Sequence, residues 1–329
     1  MSGPPPSAPM DDVRWFAPEA FFALVVPRLR ERGLAIALEG DRPARLAIAM
    51  DARVAAAAYA YATRARCPLI HYVWDLPPWR LGRGRPDWVW HVFGRYLRVP
   101  RLGGRYAERR GYYSRLRFVA THAREVWVPS AHTAASVRER WGVACRQVPF
   151  CFDSDRFTPA PGARPRGLLS VSRLTAHKDH AAVIRAAARF EPKLPVRIVG
   201  NGPERGALTR LARDLGVECA IQSGLSEGEM ATAYRSAEVV VCPSRFEGFG
   251  LTPMEAIACG RPVVVSDIPP HREFLGTAPR FFAVGDDDGL AAAIAAARSG
   301  PPARPEALRS LRIEAAAERF SVGLAPYLA

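Results

Sequence analysis

Glu238–Ser266 reads EVVVCPSRFEGFGLTPMEAIACGRPVVVS. It begins and ends with apolar runs of strand length, Glu238 to Cys242 and Pro262 to Val265. Neither run alternates polar with apolar residues, so both predict strands covered on two faces. Between them lie a glycine-containing loop and a helix over 253–259. Gly260 stops that helix, with Pro262 just beyond. Two covered strands joined by a helix form the repeating unit of a parallel sheet.

The same alternation extends on both sides. Upstream come strand Leu168 to Ser172, helix 179–190, strand Val196 to Val199, helix 204–214, strand 219–222 and a short helix near 227–235. Downstream come a helix near 269–275, strand 280–283 and helix 286–298. This predicts a doubly wound α/β domain, whose ligands bind beyond the carboxyl ends of the strands. The strand-to-helix loops are therefore the place to look for chemistry.

The segment Phe157–Gly167, FTPAPGARPRG, has three prolines, two glycines and no periodicity. It reads as a linker. The region before it shows the same class less clearly. A helix over Glu19–Arg32 contains Pro27, which kinks or shortens it. Apolar runs at Leu34–Leu38 and Arg45–Met50 follow, then an alanine-rich helix over Ala52–Arg66 and a strand over Pro68–Trp74. A helix over Tyr106–His122, strand Glu125–Val128, helix 132–140 and strand 146–150 complete it. The expected organisation is a disordered tail over 1–12, a first Rossmann-like domain over 13–156, a linker over 157–167, a second Rossmann-like domain over 168–310 and a helical tail over 311–329.

The chain has 329 residues and a formal charge of +14. Such a balance points to a polyanionic partner. However, Lys178 and Lys193 are the only lysines among 46 basic residues, a skew that marks a habit of the whole chain rather than one binding face. The densest stretch, Arg95 to Arg117, is interleaved with Trp88, Trp90, Phe93, Tyr96, Tyr106, Tyr112 and Tyr113. Arginines mixed with aromatics suit an anionic membrane interface or a sugar-binding wall. No recognised nucleic-acid motif is present. MSGPPPSAPM has neither the basic start nor the apolar core of a secretory signal. The six cysteines are scattered without metal-ligand spacing, which fits a reducing cytoplasm.

Three loops can carry chemistry. In Ser172–Lys178, an arginine and one of the two lysines stand between a strand and a helix, where free amides and added positive charge favour phosphate. Gly200-Asn201-Gly202-Pro203 permits close backbone approach, and a plain tight turn explains it equally well. In Arg245–Leu251, Gly248 and Gly250 let amides face a ligand, and Glu247 is a carboxylate placed to accept from hydroxyls. Next, Thr252 reads as an N-cap, Pro253 as the first helical residue and Glu255 as the partner in a capping box. Glu255 thus serves the helix, a ligand or both. Asp286–Asp288 reads as a helix cap, and His71, His122 and His180 as lone histidines.

Together these segments resemble the retaining family 4 glycosyltransferases, which have the GT-B fold of two Rossmann-like domains. The resemblance runs from about Gly167 to Val284 and is strongest over Pro243 to Pro262, where Glu247 and Glu255 have the family spacing. LLSVSRLTAHKD, VGNGPE and VPFCFD resemble further family segments. The resemblance implies an enzyme that moves mannose or another hexose or deoxyhexose from a nucleotide-diphosphate sugar to a glycan, lipid-linked or small-molecule acceptor. It implies no cofactor and no metal.

On the matching positions, Arg173 and Lys178 would hold the diphosphate and Glu255 the ribose hydroxyls. Glu247 would contact the transferred sugar, aided by the backbone of Gly248, Phe249, Gly250 and Leu251. Gly200 and Gly202 would allow tight packing near the nucleotide. His71 would be the counterpart of the first domain's histidine, with Asp75 as an alternative. The implied location is the cytoplasm, peripheral on the inner face of the plasma membrane. The alternative is an inactive partner that keeps the fold. The pattern departs from the family at both ends. Either Val13 to Phe16 is a vestigial first strand or that strand is absent, and its glycine-rich loop is missing. The sequence also stops at Ala329 after ERFSVGLAPYLA, where the family usually continues with a helix that crosses back to the first domain.

Overall fold

The computed structural model describes residues 10–76, 116–160, 165–301 and 304–329. The chain divides into two units, Met1–Pro149 with Ala317–Ala329, and Phe150–Ala316.

The first unit is built on six strands: β1 (Asp11–Phe16), β2 (Ile36–Ala37), β3 (Ala44–Ala49), β4 (Leu69–Tyr72), β5 (Glu125–Val128) and β6 (Arg146–Gln147). They form one sheet in the order β2-β1-β3-β4-β5-β6, and every pairing is parallel. The first strand is neither vestigial nor absent. It is six residues long and pairs on both sides, with Val13 and Trp15 fully buried. Asp11 and Asp12, expected in the tail, belong to it. The Asp12 carboxylate accepts from the Ala35 amide at 2.9 Å, which offsets its polar character inside the sheet. Pro27 splits the expected Glu19–Arg32 helix into a 3₁₀ turn, Ala20–Ala23, and a helix, Val26–Glu31, with the proline in its first turn. A proline there removes no hydrogen bond.

The second unit holds β7 (Leu168–Val171), β8 (Val196–Val199), β9 (Cys219–Gln222), β10 (Val239–Cys242), β11 (Val263–Ser266) and β12 (Arg280–Phe282). Their order is β12-β11-β10-β7-β8-β9, again all parallel. All four residues of β10 and all four of β11 are buried, as their unbroken valine runs require. Leu168, Ile198, Val241 and Val264 face Ala182, Val183, Leu208 and Leu290 in the core. Chain order turns back between β7 and β10, so the crevice of this sheet lies beyond their carboxyl ends.

Two boundaries differ from expectation. The division falls at Pro149, ahead of the expected linker. Phe157 in that linker is buried against Tyr234 with ring centroids 5.5 Å apart. Residues 161–164 lie outside the described residues. The expected helical tail is the helix Ile313–Leu328, and it is itself the segment that returns to the first unit, a role not expected of it. From Ala317 onward it belongs to the first unit. Phe320 is fully buried among Trp15, Trp127 and Tyr72, with centroids at 5.5, 5.4 and 6.2 Å. Gly323 passes so close to Trp127 that an added Cβ would lie 2.7 Å from the indole. The basic and aromatic stretch 88–117 lies outside the described residues except Leu116 and Arg117, which begin the described part of a helix over 116–122. Among the described residues no helix is long and apolar enough to cross a membrane.

Candidate functional site

Arg173 and Lys178 follow β7, and Glu247 follows β10. These are the two strands that flank the crevice. A short 3₁₀ turn, Ala176–Lys178, ends at Asp179, whose φ of +49° is the left-handed conformation an L-residue rarely adopts. Two bonds from the Arg245 guanidinium to Asp179 Oδ2, at 2.6 and 2.9 Å, hold it there. The Arg245 amide donates to the His177 carbonyl at 2.8 Å, so the two loops are joined through backbone as well.

The result is contact between the two candidate groups. Lys178 Nζ donates to Glu247 Oε1 at 2.5 Å, with little exposure on either side chain. Burial works against ionising Glu247, but the charge and hydrogen bond of Lys178 outweigh it and hold the carboxyl below its ordinary range. Arg173 is different. It is exposed and has no ion-pair partner among the described residues. Among the described residues it is an unpaired cation just beyond the end of β7.

The glycines serve the same edge. An added Cβ at Gly200 would sit 1.8 Å from the Ser172 carbonyl, and one at Gly202 would sit 2.4 Å from the Leu174 carbonyl. The loop after β8 therefore packs backbone to backbone on the loop that carries Arg173, and only glycine permits it. Leu174 N donates to Asn201 O at 2.9 Å to close the contact. Gly248, Phe249 and Gly250 are buried, and Gly250 has a φ of +85°.

The capping-box reading of Thr252 and Glu255 is overturned. The helix spans Leu251–Ala258 with Gly250 as its N-cap and no side-chain cap bond. Because the helix starts earlier, Thr252 is already inside it and donates instead to the Val171 carbonyl at 3.1 Å. Glu255 is released from capping and accepts from Tyr234 Oη at 2.6 Å. Burial pushes the Glu255 carboxyl up to about 7, with the Asp153 charge adding to the rise and Tyr234 and Arg156 opposing it. Asp286 does cap its helix, accepting from Gly289 N at 2.8 Å.

His71 belongs to the other unit. It lies in β4, fully buried, with neither ring nitrogen having a hydrogen-bond partner among the described residues. Burial brings its pKa down to about 4, so the ring is neutral near pH 7. His180, by contrast, is a satisfied core histidine. Its ring nitrogens lie 3.0 Å from Ser170 Oγ and 2.8 Å from Ser172 Oγ.

Two residues at this edge escaped the sequence reading. Tyr234 ends the helix before β10, and nothing local announces its bond to Glu255. His271 follows β11, buried behind Gly250. The triplet Asp153-Ser154-Asp155 has the spacing of a metal-binding pair. However, Asp153 is bridged to Arg156 at 2.8 Å, and Ser154 Oγ accepts from the Ile313 amide at 3.2 Å.

Residues 152–316 match the family model described as glycosyl transferases group 1. A GDP-mannose-dependent alpha-(1-6)-phosphatidylinositol monomannoside mannosyltransferase of Mycolicibacterium smegmatis is 33% identical over 174 residues, covering 45% of this chain and 46% of that protein. A phosphatidyl-myo-inositol mannosyltransferase of the same organism is 34% identical over 169 residues, covering 47% and 43%. The chain thus spans less than half the length of these curated relatives. Among solved structures, Anabaena HepE in complex with UDP-glucose matches with a TM-score of 0.69 at 15% identity, over 96% of this chain and 100% of that one. Such a likeness speaks to the fold, two α/β units with parallel sheets.

Proposed function

The chain belongs to the glycosyl transferases group 1 family and has the GT-B architecture, and from that premise we propose that it is a retaining glycosyltransferase. It takes a nucleotide-diphosphate sugar as donor, with mannose the first candidate, and transfers the hexose to a glycan or lipid-linked acceptor without a metal. The observation that carries this reading is the Lys178–Glu247 contact at the β7–β10 crevice, on the same post-β7 loop as the exposed Arg173.

In this reading Arg173 and Lys178 take the diphosphate and stabilise the charge that grows on it as the glycosidic bond breaks. Glu247, no longer tied to Lys178, accepts hydrogen bonds from sugar hydroxyls, and Glu255 does the same for the ribose. The departing phosphate accepts the proton of the acceptor hydroxyl, which attacks the same face and retains configuration. His71 is neutral, and neither ring nitrogen has a hydrogen-bond partner among the described residues, which keeps it the first unit's candidate for a substrate hydroxyl. The relatives that act on phosphatidylinositol derivatives, together with the arginine and aromatic stretch 88–117, support an acceptor at an anionic membrane surface on the cytoplasmic face.

Equilibrium binding and slow hydrolysis of UDP-, GDP-, ADP- and dTDP-sugars test the proposal. At least one donor is expected to bind. Lys178→Ala is expected to weaken it by roughly tenfold to a hundredfold, the worth of a charge-assisted hydrogen bond. That variant leaves Glu247 buried without its partner, so Lys178→Ala/Glu247→Gln is measured beside it to separate lost binding from lost folding. Absence of binding to every donor overturns the assignment.

A further inference from the structure

His271 lies on the helix Pro269–Leu275, which follows β11 and backs the Glu247–Gly250 loop. Only 1% of it is exposed. Its Nδ1 is 2.8 Å from the Ser266 carbonyl. A carbonyl oxygen only accepts, so Nδ1 carries the hydrogen and the neutral ring has a lone pair on Nε2. That Nε2 is buried and has no hydrogen-bond partner among the described residues. His180 in the same unit has both nitrogens satisfied by serines, so an unmet imidazole is not the habit of this core.

The ring is pressed against the loop. A Cβ on Gly250 would meet His271 Cδ2 at 3.1 Å and Nε2 at 3.3 Å. Beside it, Phe249 packs edge-on against Phe274 at 4.8 Å. Ser266, which receives the Nδ1 hydrogen, donates its own hydroxyl to the Ser244 carbonyl at the root of the loop. The charged groups that act on the ring are Glu247, Lys178 and Asp267. Asp267 is held by two Arg272 bonds at 2.7 Å, and Lys178 and Glu247 neutralise each other. With these charges balanced, burial keeps the imidazole neutral.

We propose that His271 is a positioning residue for the Glu247–Gly250 loop, and that it takes up a proton at Nε2 when an anionic donor draws Lys178 away from Glu247. The inference rests on the function proposed above and deepens it. Once the diphosphate claims the lysine, the Glu247 carboxylate would be left buried without a counter-charge. A solvent proton on Nε2 restores the balance, and no bond of the donor is made or broken. The Nδ1 bond to Ser266 persists in both states, so the ring stays in place and the loop keeps its shape.

The test is calorimetry of UDP-glucose and GDP-mannose binding at one near-neutral pH, in buffers of different ionisation enthalpy. Nucleotide sugars are used because neither of their phosphates titrates near neutrality. Wild type is compared with His271→Asn, whose amide N–H can still donate to Ser266. Glu255 also titrates in this range, so the difference between the two proteins carries the assignment. Greater proton uptake by wild type is expected, and equal uptake overturns the proposal. Should His271→Asn fail to fold, ring-¹⁵N-histidine spectra of the wild type decide. One Nε2 among the seven histidines moves from the lone-pair to the protonated position on donor binding, and its failure to move overturns the proposal. If neither binds, the calorimetry is run with whichever ADP- or dTDP-sugar binds in the panel above, and failure of every donor takes down the glycosyltransferase reading and this inference with it. Binding without a difference in uptake removes only the inference.

Discussion

At Glu255, burial lifts the carboxyl from 4.5 to about 7, so the native chain holds this proton more tightly than the unfolded chain does. Its contribution to stability is full below pH 4.5 and is lost as pH rises through about 7. Glu255→Gln keeps the acceptor for Tyr234 and removes the titration. Denaturant unfolding between pH 4.5 and 7.5 is expected to show wild-type stability falling relative to this variant, by an amount on the order of 2 kcal/mol given partial solvent screening. Parallel curves would show that the carboxyl ionises normally. Arg173, Lys178 and Glu247 can be named as candidates from the sequence because charge type, glycine content and position at a strand end are local facts, and the structure adds that Lys178 and Glu247 touch. Tyr234 and His271 were not, because each matters through a contact that only the packed sheet creates. Glu255 was legible as a residue and misread as a cap, since the Thr-Pro-Met-Glu pattern satisfies the capping rule whether or not the helix starts there.

Among the elements, the loop after β8 shows how glycine chemistry fixes a site edge. Gly200→Ala places a methyl 1.8 Å from the Ser172 carbonyl, which nothing but backbone movement can relieve. A loss of roughly 3 kcal/mol or more from the second unit is expected in denaturant unfolding, with weakened donor binding. Gly228 is the control. It lies in the helix Glu227–Arg235 with no atom within 4 Å of an added Cβ, so Gly228→Ala is expected to be neutral or to stabilise by up to about 1 kcal/mol. Equal effects at the two positions would show that the close approach at Gly200 does not exist. The elements of the second unit were readable because unbroken valine runs admit only covered parallel strands. The first unit was harder. Its β1 carries Asp11, Asp12 and Arg14 among its apolar residues, and Asp12 and Arg14 find partners at Ala35 and Ala37, in and beside β2, that a strand pattern does not announce.

For the whole molecule, the helix Ile313–Leu328 decides which residues belong together. Phe320 fills the first unit's aromatic cluster. Phe320→Ala is expected to cost about 3–5 kcal/mol. Hydrogen exchange should register that loss in the first unit's strands and not in β7 to β12. Faster exchange confined to the second unit would contradict the division at Ala317. The sequence reading missed this role because a short amphipathic helix near a chain end looks the same whichever core it serves.

That helix also imposes an order of assembly. Domains generally fold as units during synthesis, the earlier before the later. Here the residues that plug the first core are translated only after the whole of the second unit. The strands β1 to β6 emerge first, yet Trp15, Tyr72 and Trp127 wait for Phe320 until the whole second unit has been translated. Throughout that interval the aromatic cluster of the nascent first unit lacks the ring that sits among Trp15, Tyr72 and Trp127.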